Sequence, residues 1–190
     1  MSPALLVVLL VLLAIALLTA IVGGVYSCML LWSALGSDAP WVPISRRGTR
    51  DFVTFIGELP PDTRVVDLGS GDGRILHELA RANPGIVGLG IEQSGTLNMY
   101  ARRRARRLGL RQLEFRSANF FDESLREVDV VTSFLLPGAM AKLAPKFVAE
   151  LRPGARVFAV SMPVPGWEPK RVSRAQGRET LYELVIPQKA

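Results

Sequence analysis

This chain has almost no thiol and almost no imidazole: one cysteine, Cys28, and one histidine, His77. No disulfide can form within it, which suits a reducing compartment. With no cluster of His and Cys, no metal site is expected. Charge is missing in one place: from Pro3 to Gly36 there is no charged side chain. A bilayer crossing needs about 20 apolar residues, so residues 4–35 are expected to contact membrane lipid as a single span. A cleaved signal peptide is the rival reading, with Thr19-Ala20 and Ser27-Cys28 as weak cleavage sites. Against it, no Lys or Arg precedes the run, and the run is longer than a typical signal core. Internal repeats and low-complexity tails are absent as well, and nothing in the sequence sets an oligomeric state.

Beyond the apolar run the chain is basic. Arg46, Arg47 and Arg50 come soon after it, and the positive-inside rule then places the carboxyl-terminal domain on the cytoplasmic, or equivalent inner, side. Gly23-Gly24 reads first as tolerated filler within the span, and second as a close-packing site for another helix. The formal net charge is +6, with a cluster at Arg102, Arg103, Arg104, Arg106 and Arg107. That cluster reads first as a solvated helix face near anionic headgroups, and second as a recruiter of RNA or an acidic protein. No aromatics interleave with it, so nucleic acid is not the expected partner.

Three parts are expected: an anchor over 1–36, a linker and amphipathic helix over 37–60, and a catalytic-type domain over 61–190. The linker, Ser37 to Ser45, carries Trp41 between Pro40 and Pro43. The helix runs Arg46 to Leu59, with Phe52, Phe55, Ile56 and Leu59 on one side, and Pro60-Pro61-Asp62 stops it. Strand and helix patterns then alternate: strands at 64–68, 86–91, 112–116, 128–134 and 156–161, helices at 74–82, 95–108 and 138–151, with a short turn or helix near 123–126. This predicts an α/β fold with a doubly wound, mostly parallel sheet. Runs at 171–175 and 180–186 predict a closing antiparallel hairpin at the sheet edge.

The most informative stretch is Val65-Val66-Asp67-Leu68-Gly69-Ser70-Gly71-Asp72-Gly73-Arg74-Ile75. A β-branched strand ends in a glycine-dense turn, and a helix starts at once. Such a turn lets a nucleotide-like ligand lie against bare backbone at the carboxyl end of a parallel strand. About twenty residues on, the second strand ends at Glu92, where a carboxylate can accept from both hydroxyls of a ribose. The glycines spell G-x-G-x-G; the third glycine of the dinucleotide fingerprint is missing, with Arg74 in its place. Asp67, Asp72 and Glu92 make the walls acidic, which opposes a diphosphate and suits a ligand bearing an ammonium and a sulfonium. S-adenosylmethionine has that description.

Val65 to Ile75 resembles motif I of the class I, seven-strand S-adenosylmethionine-dependent methyltransferases, a Rossmann-like fold, and the final hairpin is similar to their reversed seventh strand. The resemblance implies that Asp67, Gly69, Ser70, Gly71, Asp72 and Gly73 lie at the methionine part of the cofactor. It puts Glu92 at the ribose, and Ala118, Asn119 and Phe120 at the adenine, with Asn119 standing where many of these enzymes carry aspartate. A closer likeness rests on Pro40-Trp41-Val42-Pro43, Phe134-Leu135-Leu136-Pro137 and Met162-Pro163-Val164-Pro165-Gly166-Trp167. With one amino-terminal span, these resemble the membrane-anchored protein lysine methyltransferases that modify the ATP synthase c subunit and the adenine nucleotide translocase. Lysine methylation is what that resemblance implies. The Asn-Pro-Pro-aromatic signature of other amino-group methyltransferases is absent, which counts against nucleobase or glutamine acceptors.

On the acceptor side the candidates are Phe134, Leu135 and Pro137, with Asp122 and Trp167 as further possibilities. Asp122 reads more readily as a helix cap, Trp167 equally as a cover for the sheet edge, and His77 as a packing or surface residue. Pro40 to Pro43 reads equally as a flap over the cofactor and as a stiff linker. Alternatives to a protein acceptor are a lipid or small lipophilic molecule, RNA, and a cofactor-binding scaffold without transferase activity.

Overall fold

The computed structural model describes residues 2–34, 43–174 and 179–186, in two compact units divided at Val42. Ser37 to Val42 of the linker and Ala175 to Arg178 of the closing turn lie outside the described residues.

The first unit is one helix, α1 (Pro3–Ala34). Its stretch Pro3–Cys28 is long and apolar enough to cross a membrane by length and composition. Leucine, valine and isoleucine surround the helix on every side, so it has no polar face to turn toward water.

The second unit opens with α2 (Arg46–Ile56), capped by Ser45, whose hydroxyl accepts from the Gly48 amide at 2.9 Å. The amphipathic pattern continues to Leu59, but the helix stops at Gly57, which adopts φ +79°. Asn83 explains the stop from a distance: its side chain accepts from the Leu59 amide and donates to the Gly57 carbonyl. Then come β1 (Arg64–Leu68), α3 (Arg74–Ala82), β2 (Val87–Glu92), α4 (Gly95–Arg107), β3 (Leu113–Ser117), β4 (Val130–Ser133), α5 (Pro137–Glu150), β5 (Arg156–Val160), β6 (Arg171–Arg174) and β7 (Thr180–Val185). Between β3 and β4 there are turns and no helix.

The strands form one seven-stranded sheet in the order β3-β2-β1-β4-β5-β7-β6. All neighbours are parallel except β7, which runs antiparallel to both β5 and β6. The order reverses between β1 and β4, so the loops after these two strands diverge and leave a crevice at their carboxyl ends. One face of the sheet is covered by α2, α3 and α4, packed around Phe52, Leu76, Leu79 and Phe158. The other is covered by α5, with Met140, Leu143 and Phe147 over Val66, Leu68 and Val131. The segment Met162 to Trp167 forms no helix; it lies along this second face.

Candidate active site

The site grows from the ends of the central strands. Asp67 stands in β1 opposite Thr132 of β4, and the Thr132 hydroxyl donates to Asp67 Oδ1 at 2.8 Å. Asp67 is 1 % exposed, and its Oδ2 has no partner among the described residues. Burial, opposed by the Thr132 bond and helped by the nearby charges of Glu92 and Asp72, pushes its pKa up to about 7.

The chain then turns across the end of β2. Gly69 and Ser70 both donate their amides to the Ile91 carbonyl, at 2.9 and 3.0 Å. Gly69, Gly71 and Gly73 all have positive φ, a conformation that costs other residues energy. At Gly69 a Cβ would also meet Leu135 Cδ2 at 2.7 Å, so the leucine side chain would have to shift. Gly90 in β2 plays the matching part below, where a Cβ would meet Ser70 Oγ at 2.7 Å. Ser70 Oγ is buried and, like Asp67 Oδ2, lacks a partner among the described residues.

Glu92, half-buried, is held at both oxygens. The Gly71 amide donates to Oε2 at 3.1 Å and the Ser94 amide to Oε1 at 2.9 Å. Each oxygen keeps a lone pair for a further donor. The side chain of Asn98, on the inward face of α4, bonds the Glu92 carbonyl and Ser117 Oγ and so ties the ends of β2 and β3 together. Asn119 and Phe120 come directly after β3, and the Asn119 side-chain oxygen accepts from the Phe121 amide at 3.1 Å.

Asp72 differs from the acidic wall expected of it. Arg74 grips its carboxylate with Nε at 2.8 Å and Nη2 at 2.7 Å, and sends Nη1 to the Ile44 carbonyl. Burial works to raise the Asp72 pKa, but the bonds and charge of Arg74 outweigh it and hold the carboxyl below its usual range. Asp72 is therefore an internal brace of the loop, and Asp67 and Glu92 are the acids left to face a ligand.

Across the crevice, Phe134 packs toward the α2–α3 side and Leu135 toward the α5 side, over Gly69. Leu136 and Pro137, at the start of α5, are exposed. Asp122 is exposed in the turn after β3, and no helix comes after it for it to cap. Trp167 packs against Phe147, ring centroids 6.3 Å apart, ten residues or about 15 Å along α5 from Pro137. The structure thus gathers Asp67, Gly69 to Gly73, Glu92 and Leu135 at one crevice, while Trp167 belongs to the packing over α5. His77 is buried, with Nε2 3.0 Å from the Ala101 carbonyl, and burial holds its pKa down to about 4. It joins α3 to α4, the packing role expected.

Thr132, Asn98 and Arg74 do not stand out in the sequence as site residues. Asn98 does carry a signal: it shares the i, i+3, i+7 face of Ala101 and Ala105, where a polar residue needs a reason. Thr132 carries none until its register opposite Asp67 is known.

Residues 67–171 match the family model of the ANTKMT methyltransferase domain. The chain belongs to that family. It is an S-adenosylmethionine-dependent methyltransferase. A protein-lysine N-methyltransferase of Saccharolobus islandicus is 32% identical over 151 residues, 77% of this chain and 93% of that protein. The lysine N-methyltransferase of the ATP synthase c subunit from Rattus norvegicus is 32% identical over 144 residues, covering 75% of this chain and 64% of the rat protein. Among solved structures, an RNA methyltransferase from Salinibacter ruber in complex with S-adenosyl-L-homocysteine superposes with TM-score 0.71. It is 33% identical, with 78% of this chain and 96% of that one covered.

Proposed function

We propose that this protein is a membrane-anchored methyltransferase whose acceptor is a lysine side chain of a membrane or membrane-proximal protein. The observation that carries this reading is the 32% identity that spans 93% of the archaeal protein-lysine N-methyltransferase. The charge-free α1 supports the anchor, with the catalytic unit on the cytoplasmic side by the arginines beyond it.

In this reading Asp67 and the loop residues Gly69, Ser70, Gly71 and Gly73 hold the methionine part of S-adenosylmethionine, with Asp72 bracing the loop through Arg74. Glu92 takes the ribose hydroxyls, and Asn119 and Phe120 flank the adenine. The residues fit such a group. Two buried oxygens, Asp67 Oδ2 and Ser70 Oγ, have no hydrogen-bond partner among the described residues, and the glycine turn leaves its backbone bare beside Leu135. Asp67 and Glu92 supply negative charge where the ligand is cationic.

When bound, S-adenosylmethionine supplies a methyl group on a sulfonium, open to in-line displacement. The chain supplies position and dryness. Leu135, Leu136 and Pro137 present an apolar rim beside the glycine loop, and Phe134 backs it from the core. An amine brought among them loses water, which favours its neutral, nucleophilic form without a dedicated base. Asp122, exposed in the turn after β3, remains a further acceptor-side candidate with no ion pair among the described residues; its neighbour Glu123 pairs with Arg116 at 2.6 Å.

The test incubates membranes lacking this protein with the purified enzyme and methyl-tritiated S-adenosylmethionine, alongside Glu92→Ala. Label in one protein band, abolished by Glu92→Ala, is expected; label confined to the lipid extract would transfer the reading to a lipophilic acceptor. Loss of the paired charged hydrogen bonds at Glu92 should weaken cofactor binding on the order of a hundredfold.

A second reading, RNA as acceptor, draws on the α4 arginines and on the name of the Salinibacter relative. Activity on RNA that falls steeply with salt, with none on protein, would establish it.

A further inference from the structure

Many arginines of this domain are ion-paired. Arg64, Arg74, Arg81, Arg116, Arg152, Arg156 and Arg171 each meet a carboxylate. Arg103, Arg106 and Arg107 of α4 meet none among the described residues, and all three are exposed. Arg104 is exposed too, with only the more distant charge of Asp72 nearby. From Gln93 to Leu113 the chain has no acidic residue at all. Along α4 the result is an exposed ridge of arginines with no carboxylate partner among the described residues.

That ridge is part of a wider asymmetry. The layer α2, α3 and α4 carries ten arginines against two acids, Asp51 and Glu78. The opposite layer, α5, carries Lys142 and Lys146 against Glu150. The α2–α4 layer thus holds more positive charge than the formal +6 of the whole chain. Beside the ridge, between the end of α4 and edge strand β3, lies an open groove of about 630 Å³. Arg102, Arg106 and Arg111 border it, and Leu110 and Leu113 form part of its floor. Its single carboxylate, Glu114, is paired with Arg116 at 3.1 Å. A phosphate group with an apolar neighbour fits such a place.

We propose that the α4 ridge and its groove dock the domain onto anionic phospholipid headgroups, so that the α2–α4 layer rests on the bilayer. This deepens the membrane-anchored reading and rests on it. Charge complementarity with the acidic inner leaflet argues for lipid. So does chain length: nine peptide steps separate Ala34 from Pro43, a reach of at most about 30 Å. The arginines nearest the tether, Arg46, Arg47 and Arg50, emerge on this same layer. Nucleic acid has a weaker claim, because no aromatic residue interleaves with the arginines from Arg102 to Arg107, and Tyr100 is the one exposed aromatic of α4.

The test uses the full chain in nanodiscs, in a Cys28→Ser background, with a fluorophore on Leu108→Cys. Leu108 is exposed beside the ridge and is not itself an arginine. Discs contain either phosphatidylcholine alone or phosphatidylcholine with about a third phosphatidylglycerol, each with a trace of headgroup-nitroxide lipid. Quenching in the anionic discs is expected, together with its loss in neutral discs and at high salt. The triple charge reversal Arg103→Glu, Arg106→Glu, Arg107→Glu should weaken docking by a hundredfold or more, at about fivefold per arginine removed, with thermal unfolding measured to show that the fold persists. Equal signals in neutral and anionic discs, or no effect of the reversal, would overturn the proposal. Displacement of the ridge from the anionic disc by added RNA at physiological salt would overturn it in favour of a nucleic-acid surface. A chain that elutes apart from the discs would instead sink the anchor reading beneath it.

Discussion

Asp67 carries a charge problem that its position creates. It is buried, its pKa is raised to about 7, and one oxygen has no partner among the described residues. In the unfolded chain the same group ionises near its ordinary value of 3.8. Folding therefore favours its protonated form: its contribution to stability is full below about pH 4 and is lost as pH rises toward 7. Asp67→Asn removes this loss, so in ligand-free protein the variant should gain stability over the parent as pH rises from 4 to 8, by up to a few kcal/mol. Thermal unfolding of both across that range checks it. Cofactor affinity should move the other way. A cation beside Asp67 restores the ionised form, so binding to the parent should strengthen from pH 5.5 to 7.5 with proton release, and Asp67→Asn should abolish both effects. Calorimetry in two buffers of different ionisation enthalpy would read the proton. Gly69→Ala meets both a left-handed backbone and Leu135, and should cost about 1–3 kcal/mol of stability along with most cofactor binding. An unchanged affinity would show that the turn tolerates rearrangement.

At the scale of elements, alternation of apolar runs and breakers locates the strands and helices to within a residue or two, because each buried face imposes its own period on the chain. The ends are less legible. α2 stops at Ile56 because of Asn83, twenty-four positions beyond the Leu59 it holds, and no local pattern contains that bond. The glycine loop and Glu92 can be read because backbone geometry demands particular residues there. Thr132 cannot, since its partner is set by strand register. The closing hairpin was expected at the edge, and the structure puts β7 beside β5 with β6 outermost. Its attachment is a small ionic cluster: Glu183, 5 % exposed, accepts from Arg156 and Arg171, each at 2.8 Å. The same two arginines donate to the Ile56 and Phe55 carbonyls at the end of α2. Glu183→Ala leaves two guanidinium groups without their anion and should destabilise the domain by about 2–4 kcal/mol, with little change in cofactor affinity per folded molecule. Equal losses of stability and affinity would mean that this cluster communicates with the site.

For the whole molecule, the decisive contrast is between a helix that water does not suit and a strongly basic domain. If α1 spans the bilayer, the chain should stay in the membrane pellet through alkaline carbonate and leave it only with detergent, whereas a chain lacking residues 2–34 should be released by salt. Release of the full chain by carbonate would contradict the span. The overall fold class and the cofactor are legible in a few residues, since one glycine turn and two carboxylates at strand ends define the ligand. The acceptor side we propose is less so, because an apolar rim such as Leu135, Leu136 and Pro137 would act by shape and dryness, which many apolar residues can supply.

Arg74 gives the junction of these parts a mechanical meaning. Ile44, two residues beyond Val42, is buried in the domain core, and its carbonyl is held by the guanidinium that also braces the glycine loop through Asp72. Ile44 is thus the first buried side chain of the domain, and one arginine joins it to the glycine turn. Under the anchored reading we propose, a pull on the chain before Pro43 would reach the glycine loop through Arg74.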